Sequence, residues 1–420
     1  MAKKFLGIIA LLLACSVALC QNLAVHFLVA DPGEDASREI GINWHCNRPG
    51  SILEVREASD QSFENAQRYC PAEEVWNLSQ EFVTRAEPDS VESLFCDSRY
   101  VCSVNLSGLK AGCSYQYRVV LGNECSEVRN FTTASGAKEW KFVAFTDFQP
   151  AHNVKTHAII EKVLSLAGAD VPLAVCSGDM IDYSSAEQSW KWLLDNEIFG
   201  RFLFASSPGD HEYWAKGTER HIPQLPKPLV YNRIFNNPKN GLEERLNSSF
   251  FFHYNNVLFV ALDMADSNTP RTSMFEREAE WFRQVVESRK GTYDYLVVME
   301  HKGIFGSYTN DSGVAKYMRP LWAPVFRKAG VDLVLCGHDH MFSRSVSIGG
   351  TYYLDMGTSG KKVRTPDEGL YNDGLHELVL DLKASGQCMG AVIDVGPQGM
   401  QVRVYELDGT LIDSFIIVHK

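Results

Sequence analysis

Five short clusters in this chain combine carboxylates, imidazoles and small residues: Asp147 with Gln149, Gly178-Asp179, Gly209-Asp210-His211-Glu212, Glu300-His301, and Gly337-His338-Asp339-His340. Several Asp and His side chains sharing one crevice repel or stay protonated unless positive charge lies between them. Two divalent or trivalent metal ions, bridged by one carboxylate, meet that need. Oxygen and imidazole donors together favour Fe, Mn or Zn over copper(I), with Mg also admissible. A metal pair of this kind clamps a phosphate, acidifies a bound water and stabilises the charge that develops in an in-line displacement.

Something must bring these clusters together, and their spacing suggests what. From Asp147 through Asp179, Asp210 and His301 to His338 the intervals are 32, 31, 91 and 37 residues, which suits successive strand–helix units. Each cluster ends an apolar run that reads as a strand (Phe142 to Thr146, Leu173 to Ser177, Leu203 to Ser206, Tyr295 to Met299, Val331 to Leu335), and amphipathic segments lie between them. Alternation of this type predicts an α/β layered domain, in which ligands gather at the carboxyl ends of the strands. The glycines before Asp179, Asp210 and His338 are expected to give the backbone tight turns there. Ser249 to Leu262 reads as a hairpin turning at Asn255-Asn256.

Upstream the pattern differs. Residues 22–135 alternate with period two between turn residues and read as a β-sandwich, and Ala134 to Lys138 is a small-residue linker. Cys46, Cys70, Cys96, Cys102, Cys113 and Cys125 crowd this region, which predicts three disulfides in an exported chain. Cys176 and Cys336 lie in apolar runs and are expected as buried thiols. Residues 1–20 read as a secretory signal: Lys3 and Lys4 precede the uncharged run Phe5 to Leu19. A lipoprotein anchor at Cys15 or Cys20 is the alternative there, and no later stretch is long and apolar enough to span a membrane. Asn77, Asn105, Asn130, Asn247 and Asn310 head Asn-x-Ser/Thr sequences, which hints at exposure. The 420 residues carry a net charge of -12, so the basic stripe of a nucleic-acid-binding protein is absent. A small phosphorylated substrate suits this chain better than a nucleic acid.

The five clusters, taken in order, resemble the signatures of calcineurin-like metallophosphoesterases. The amino-terminal region, with Trp44 and the segment Leu109 to Arg118, is similar to the fibronectin type III-like domain of purple acid phosphatases. This resemblance implies an all-β sandwich over residues 22–135, followed by a four-layer α/β catalytic domain over 139–420, a β-sandwich flanked by helices. It further implies that Asp147, Gln149, Asp179 and His340 hold one metal, and that Asp210, His301 and His338 hold the second with Asp179 bridging. His211 would contact the phosphate or protonate the leaving oxygen, and a bridging hydroxide would be the nucleophile. The implied activity is acid phosphatase-like hydrolysis of phosphate monoesters.

Three positions depart from that pattern. Asp182 stands where purple acid phosphatases carry a tyrosine, and Tyr183 comes one residue late. Asp210 replaces the usual asparagine and adds negative charge, which should weaken attraction for a dianion. The histidine pair of plant-type enzymes is missing from the loop holding Tyr308, Thr309, Asn310 and Asp311. His152 and Arg344 are candidate substrate contacts, Arg344 being equally a helix cap, and His221 with Ile222 to Leu229 reads as a rim insertion. His26, His45, His157, His253, His376 and His419 read as structural. A phosphodiesterase or nucleotide hydrolase remains the alternative enzyme, and a binding protein with a vestigial site the non-enzymatic one. The His-Glu-x-x-His of a zinc peptidase is absent.

Overall fold

The computed structural model describes residues 21–22, 25–76, 99–149, 155–168, 171–214, 227–265, 272–306, 317–360, 362–364, 374–379 and 388–419. The amino-terminal part is a sandwich of two sheets. One sheet runs Val25–Pro32, Ile40–Cys46, Arg99–Leu106, Ala72–Trp76; the other is built around Ser114–Leu121, flanked by Ile52–Glu57, Glu124–Cys125 and Arg129–Thr132. Period-two alternation predicts one buried face per strand, yet all seven residues of Ile40–Cys46 are buried. Their second face lies against the carboxy-terminal part of the chain. Asn43 Nδ2 donates to the Arg233 carbonyl at 2.7 Å, and the His45 Nε2 lies 2.8 Å from the same oxygen. Asp31 accepts from the Asn236 backbone at 2.7 Å.

The three-disulfide expectation is not met. Cys46, Cys70, Cys102 and Cys113 are free thiols, and Cys96 lies outside the described residues. Register explains the nearest case: Cys46 pairs with Tyr100 and Cys102 with Trp44, so the two thiols share a face but sit diagonally, at about 7–8 Å between α-carbons. A disulfide needs less than that. Cys176 and Cys336 are buried, as their apolar runs predict. Asn105 and Asn130 are exposed, whereas Asn247 is buried and donates to the carbonyls of Asn232 and Phe235. Asn77 and Asn310 lie outside the described residues.

The carboxy-terminal part has two mixed sheets face to face. The first runs Leu203–Ser206, Leu173–Cys176, Trp140–Phe145, Met389–Gly396, Gly399–Glu406, Leu411–Val418; the second runs Phe250–Tyr254, Val257–Ala261, Tyr295–Lys302, Leu333–Gly337, Tyr352–Met356, Phe342–Ser345, His376–Val379. Odd residues such as Val297, Met299, Leu333 and Leu335 fill the space between the sheets with Ala144, Val175 and Ile393. The outer faces are covered by Lys155–Ala167 on one side and by Thr272–Ser288 with Arg319–Ala329 on the other. Helices, two sheets and helices make the four layers expected. The strands Phe342–Ser345 and Met389–Gly396 are elements that sequence pattern misses; the latter pairs antiparallel with Trp140–Phe145 and joins the tail hairpin to the parallel core.

Between the two parts, His45 is fully enclosed, edge-on to Phe27 at 4.8 Å. Burial pushes its pKa down to about 3 from 6.5, although the Arg233 carbonyl works the other way. The unfolded chain therefore takes up a proton near pH 6.5 that the folded protein refuses until about pH 3, so folding loses stability as pH falls across that window. We predict that His45→Gln, which can still donate to the Arg233 carbonyl, flattens the acid-side fall in the thermal midpoint between pH 7 and 4. The difference from wild type should be on the order of 2–3 kcal/mol. An unchanged pH profile would overturn the buried neutral histidine.

Candidate metal centre

Every one of the five clusters arrives at the same place, because parallel neighbours in each sheet end on the same side. Asp147 follows Trp140–Phe145, Asp179 follows Leu173–Cys176 and Asp210 follows Leu203–Ser206. His301 sits near the end of Tyr295–Lys302, and His338 and His340 come just after Leu333–Gly337. The side chains of Asp179, Asp210, His301 and His338 offer donor atoms within 4.8 Å of one another, and so do those of Asp147, Asp179 and His340. Asp179 belongs to both groups.

The backbone is strained where these donors stand. Asp147, Gln149, Asp179, His338 and His340 all have positive φ, between 32° and 73°, a region that costs a non-glycine residue about 1–3 kcal/mol. The glycines serve a second purpose. Of the three preceding Asp179, Asp210 and His338, only Gly178 has a left-handed φ. A Cβ at Gly209 would lie 2.1 Å from Asp179 Oδ1, and one at Gly337 would lie 2.2 Å from Asp147 Oδ2. Those two glycines are there because the carboxylates pass where a side chain would be.

Hydrogen bonds then fix each donor's direction. His301 Nδ1 lies 2.8 Å from the Ser177 carbonyl and so carries the proton, leaving Nε2 to face Asp179 at 3.1 Å and Asp210 at 3.3 Å. His338 Nδ1 lies 3.1 Å from Asp210, and His340 Nε2 3.3 Å from Asp147. Gln149 Nε2 donates to Asp179 Oδ2, which leaves its Oε1 turned elsewhere. Asp147 Oδ1, Gln149 Oε1, Asp210 Oδ1 and His301 Nε2 are buried without a hydrogen-bond partner. Orphaned polar atoms of this kind are rare in protein interiors, and those of Asp147, Asp210 and His301 belong to the two groups whose ligand atoms converge. That convergence, in a set of oxygen and imidazole donors, fits two metal ions.

Local fields agree. Burial pushes the Asp147 carboxyl up to about 7. For Asp210 burial pulls upward too, but the charges of Lys302 and His338 outweigh it and hold the carboxyl well below its usual range. Burial likewise opposes charge on His301, yet Asp179 overcomes it and raises the imidazole well above 6.5. The space between Asp179 and Asp210 therefore favours positive charge. His340 is driven down to about 2 by burial, with Lys362 adding to the effect; it is held as the neutral imidazole a ligand must be.

His211 stands at the rim. Its Nδ1 lies 2.7 Å from the Asp182 carbonyl, its Nε2 lies 3.6 Å from Asp179 Oδ2, and its ring leans on Trp214 at 4.1 Å. With His338, whose side chain is 20% exposed, it marks the open side. Tyr183, one residue beyond the tyrosine position, packs beside Tyr213, Trp214 and Ala265. Arg344 is not at the site as a free cation: its Nε donates to Asp413 and its guanidinium lies over Phe415, which ties two strands together. His152, His221 and residues 222–226 lie outside the described residues.

Further residues hold the ligand loops in place. Glu212 accepts from the backbone of Gly209, Asp179 and Met180, at 2.6–3.0 Å, and so binds two ligand loops together. Tyr213 donates to Asp263 at 2.6 Å while Arg245 donates to Tyr213, anchoring the turn that carries Asp210 and His211. Arg364 donates from its backbone to the His340 carbonyl and from Nη1 to that of His338. Glu212 was visible in its motif; the others carry no local signal, because their partners are distant in sequence.

Comparison with known proteins follows the same lines. Residues 141–342 match the calcineurin-like phosphoesterase family and residues 27–133 match the purple acid phosphatase N-terminal domain. An uncharacterized protein of Mycobacterium tuberculosis is 23% identical over 283 residues, 60% of this chain; the chain spans about half the length of the curated relatives it matches. Among solved structures, the purple acid phosphatase PPD1 of yellow lupin superposes with a TM-score of 0.72 at 15% identity, over 94% of this chain and 74% of that one. PhoD superposes at 0.61 and 14% identity, over 94% and 92%. At those identities the likeness is one of fold. Residues 141–342 thus carry a calcineurin-like phosphoesterase domain, preceded over residues 27–133 by a purple acid phosphatase N-terminal domain.

Proposed function

We propose that this chain is an exported, dimetal-dependent phosphoesterase that hydrolyses phosphate monoesters with water as the nucleophile. The observation that carries the reading is Asp179, the one carboxylate common to a four-residue and a three-residue ligand group. Asp147, Gln149, Asp179 and His340 would hold one ion, and Asp179, Asp210, His301 and His338 the other. Two such ions supply Lewis acidity towards phosphate oxygens and lower the pKa of water. Export rests on the Lys3-Lys4 and Phe5 to Leu19 pattern; among the described residues no helix is long and apolar enough to cross a membrane.

The chain's own part is orientation and proton transfer. Because a carbonyl only accepts, Nδ1 of His211 carries a proton, and Nε2 is the atom free to work on substrate. In the imidazolium form Nε2–H can donate to a phosphate oxygen or protonate the departing alkoxide. Trp214 and the Asp182 carbonyl keep that ring from turning away. A diesterase is the second reading, favoured by one observation: a third buried carboxylate, Asp210, lowers the site's attraction for a dianion relative to the monoanion of a diester.

Four outcomes are expected. Chelation abolishes hydrolysis of p-nitrophenyl phosphate by residues 21–420, and Mn, Fe or Zn restores it. The same preparation turns over bis(p-nitrophenyl) phosphate more slowly, the reverse order establishing the diesterase and failure on both esters sinking the hydrolase. His211→Ala lowers kcat on the monoester by roughly 10²–10⁴-fold while metal uptake, followed by titration, is unchanged. Iron-loaded protein shows no visible tyrosinate band, since Asp182 occupies the tyrosine position; a purple protein would refute the ligand set.

A further inference from the structure

Lys302 ends the strand that carries His301, opposite Gly337 in the neighbouring strand and so one residue from His338. It is 1% exposed, and its Nζ is buried without a hydrogen-bond partner. An ammonium has three hydrogens to donate and no way to accept. Enclosing one with no acceptor is among the most unfavourable arrangements a folded protein keeps, so its charge must be balanced nearby and its hydrogens must find an acceptor in the working state. Its location says which. The strand register puts it next to His301 in the chain and opposite Gly337, beside the second ligand group, and its charge is among those that hold the Asp210 carboxyl down.

Charge arithmetic leads the same way. Asp147, Asp179 and Asp210 contribute three negative charges, and two dications contribute four positive ones, leaving one positive charge to meet a doubly charged phosphate. Lys302 raises that to two. Removing the pair Asp210 and Lys302 together would leave the sum as it is, so the two substitutions relative to a neutral amide ligand offset each other.

We propose that Lys302 is a substrate-binding residue of this site: its ammonium balances the Asp210 carboxylate and donates to an oxygen of the bound phosphate ester. The inference rests on the phosphoesterase reading above and narrows it towards the dianionic monoester. The residue lies ahead of residues 307–316, whose sequence lacks the plant-type histidine pair, and it supplies a cation on the same stretch of chain.

The test uses inorganic phosphate as the probe, titrated calorimetrically into the metal-loaded protein. Lys302→Met, which keeps the length of the side chain and removes the charge, should weaken phosphate binding by about tenfold or more, with metal stoichiometry unchanged. Lys302→Arg should recover part of the loss. On nitrophenyl esters, Lys302→Met should raise KM for the monoester more than for the diester. If Lys302→Met does not fold or load metal, Asp210→Asn with Lys302→Met should do both and bind phosphate within about threefold of wild type, because one charge of each sign is removed. Unchanged phosphate binding in Lys302→Met overturns the assignment while leaving the dimetal reading standing. A double variant as impaired as the single one overturns the balance with Asp210. Wild-type protein that takes up no metal overturns the dimetal reading instead; phosphate binding that then persists and is lost in Lys302→Met still supports Lys302, and its absence from wild type overturns both.

Discussion

One carboxylate has to be held with each oxygen turned to a different side, and much of the structure is arranged around that requirement. Asp179 Oδ1 accepts from the His211 backbone at 3.0 Å and faces His301, while Oδ2 accepts from Gln149 and faces His211. Its own backbone is left-handed at φ 52° and its N–H is taken by Glu212. Gly209 leaves the gap its Oδ1 needs. A freely rotating aspartate would find one partner and turn its other oxygen to water. Fixed from several directions, Asp179 can serve two ligand groups at once.

Such an arrangement is stabilised from elsewhere, since it costs stability by itself. Positive φ at five donor residues and three buried carboxylates near one another both favour unfolding. The layers behind the site offset this. The two sheets meet through tightly enclosed aliphatic and aromatic side chains, and helices seal the outer faces. Glu212 shows how the polar part is managed. Burial and the Asp179 charge raise its pKa to about 8, yet it is retained because three backbone N–H groups of the ligand loops have no other acceptor.

The amino-terminal sandwich is part of the same packing rather than a tethered appendage. Arg129 donates to the carbonyls of Leu28 and Leu194, His26 and Phe27 engage Asp195, and Asp31 holds Asn236. Asp195 and Asn236 belong to the carboxy-terminal part, the first directly after the helix Glu187–Leu194. This accounts for Ile40–Cys46 being buried on both faces, and for His45 being kept neutral in a domain whose sequence reads as half-exposed. The free thiols of Cys46 and Cys102 lie within this doubly covered sheet, where a diagonal register keeps them apart.

Local sequence determined a good part of this protein. Apolar runs ending in Asp or His specify where strands stop and where chemistry begins, because side-chain period and strand-end position are local properties; Asp147, Asp179, Asp210, His301, His338 and His340 could all be named from them. The layered order followed from strand–helix alternation. Tertiary structure decided what no local pattern encodes. It made Asp179 common to two groups and showed that Gly209 and Gly337 serve space rather than turning. Arg344 was committed to Asp413, 69 residues away, while Lys302 was enclosed beside Asp210, and Met389–Gly396 was seated next to Trp140–Phe145. Each of these depends on residues far apart in the chain meeting in a low-dielectric interior, where distance in space alone sets the strength of a charge or the room for a methyl group.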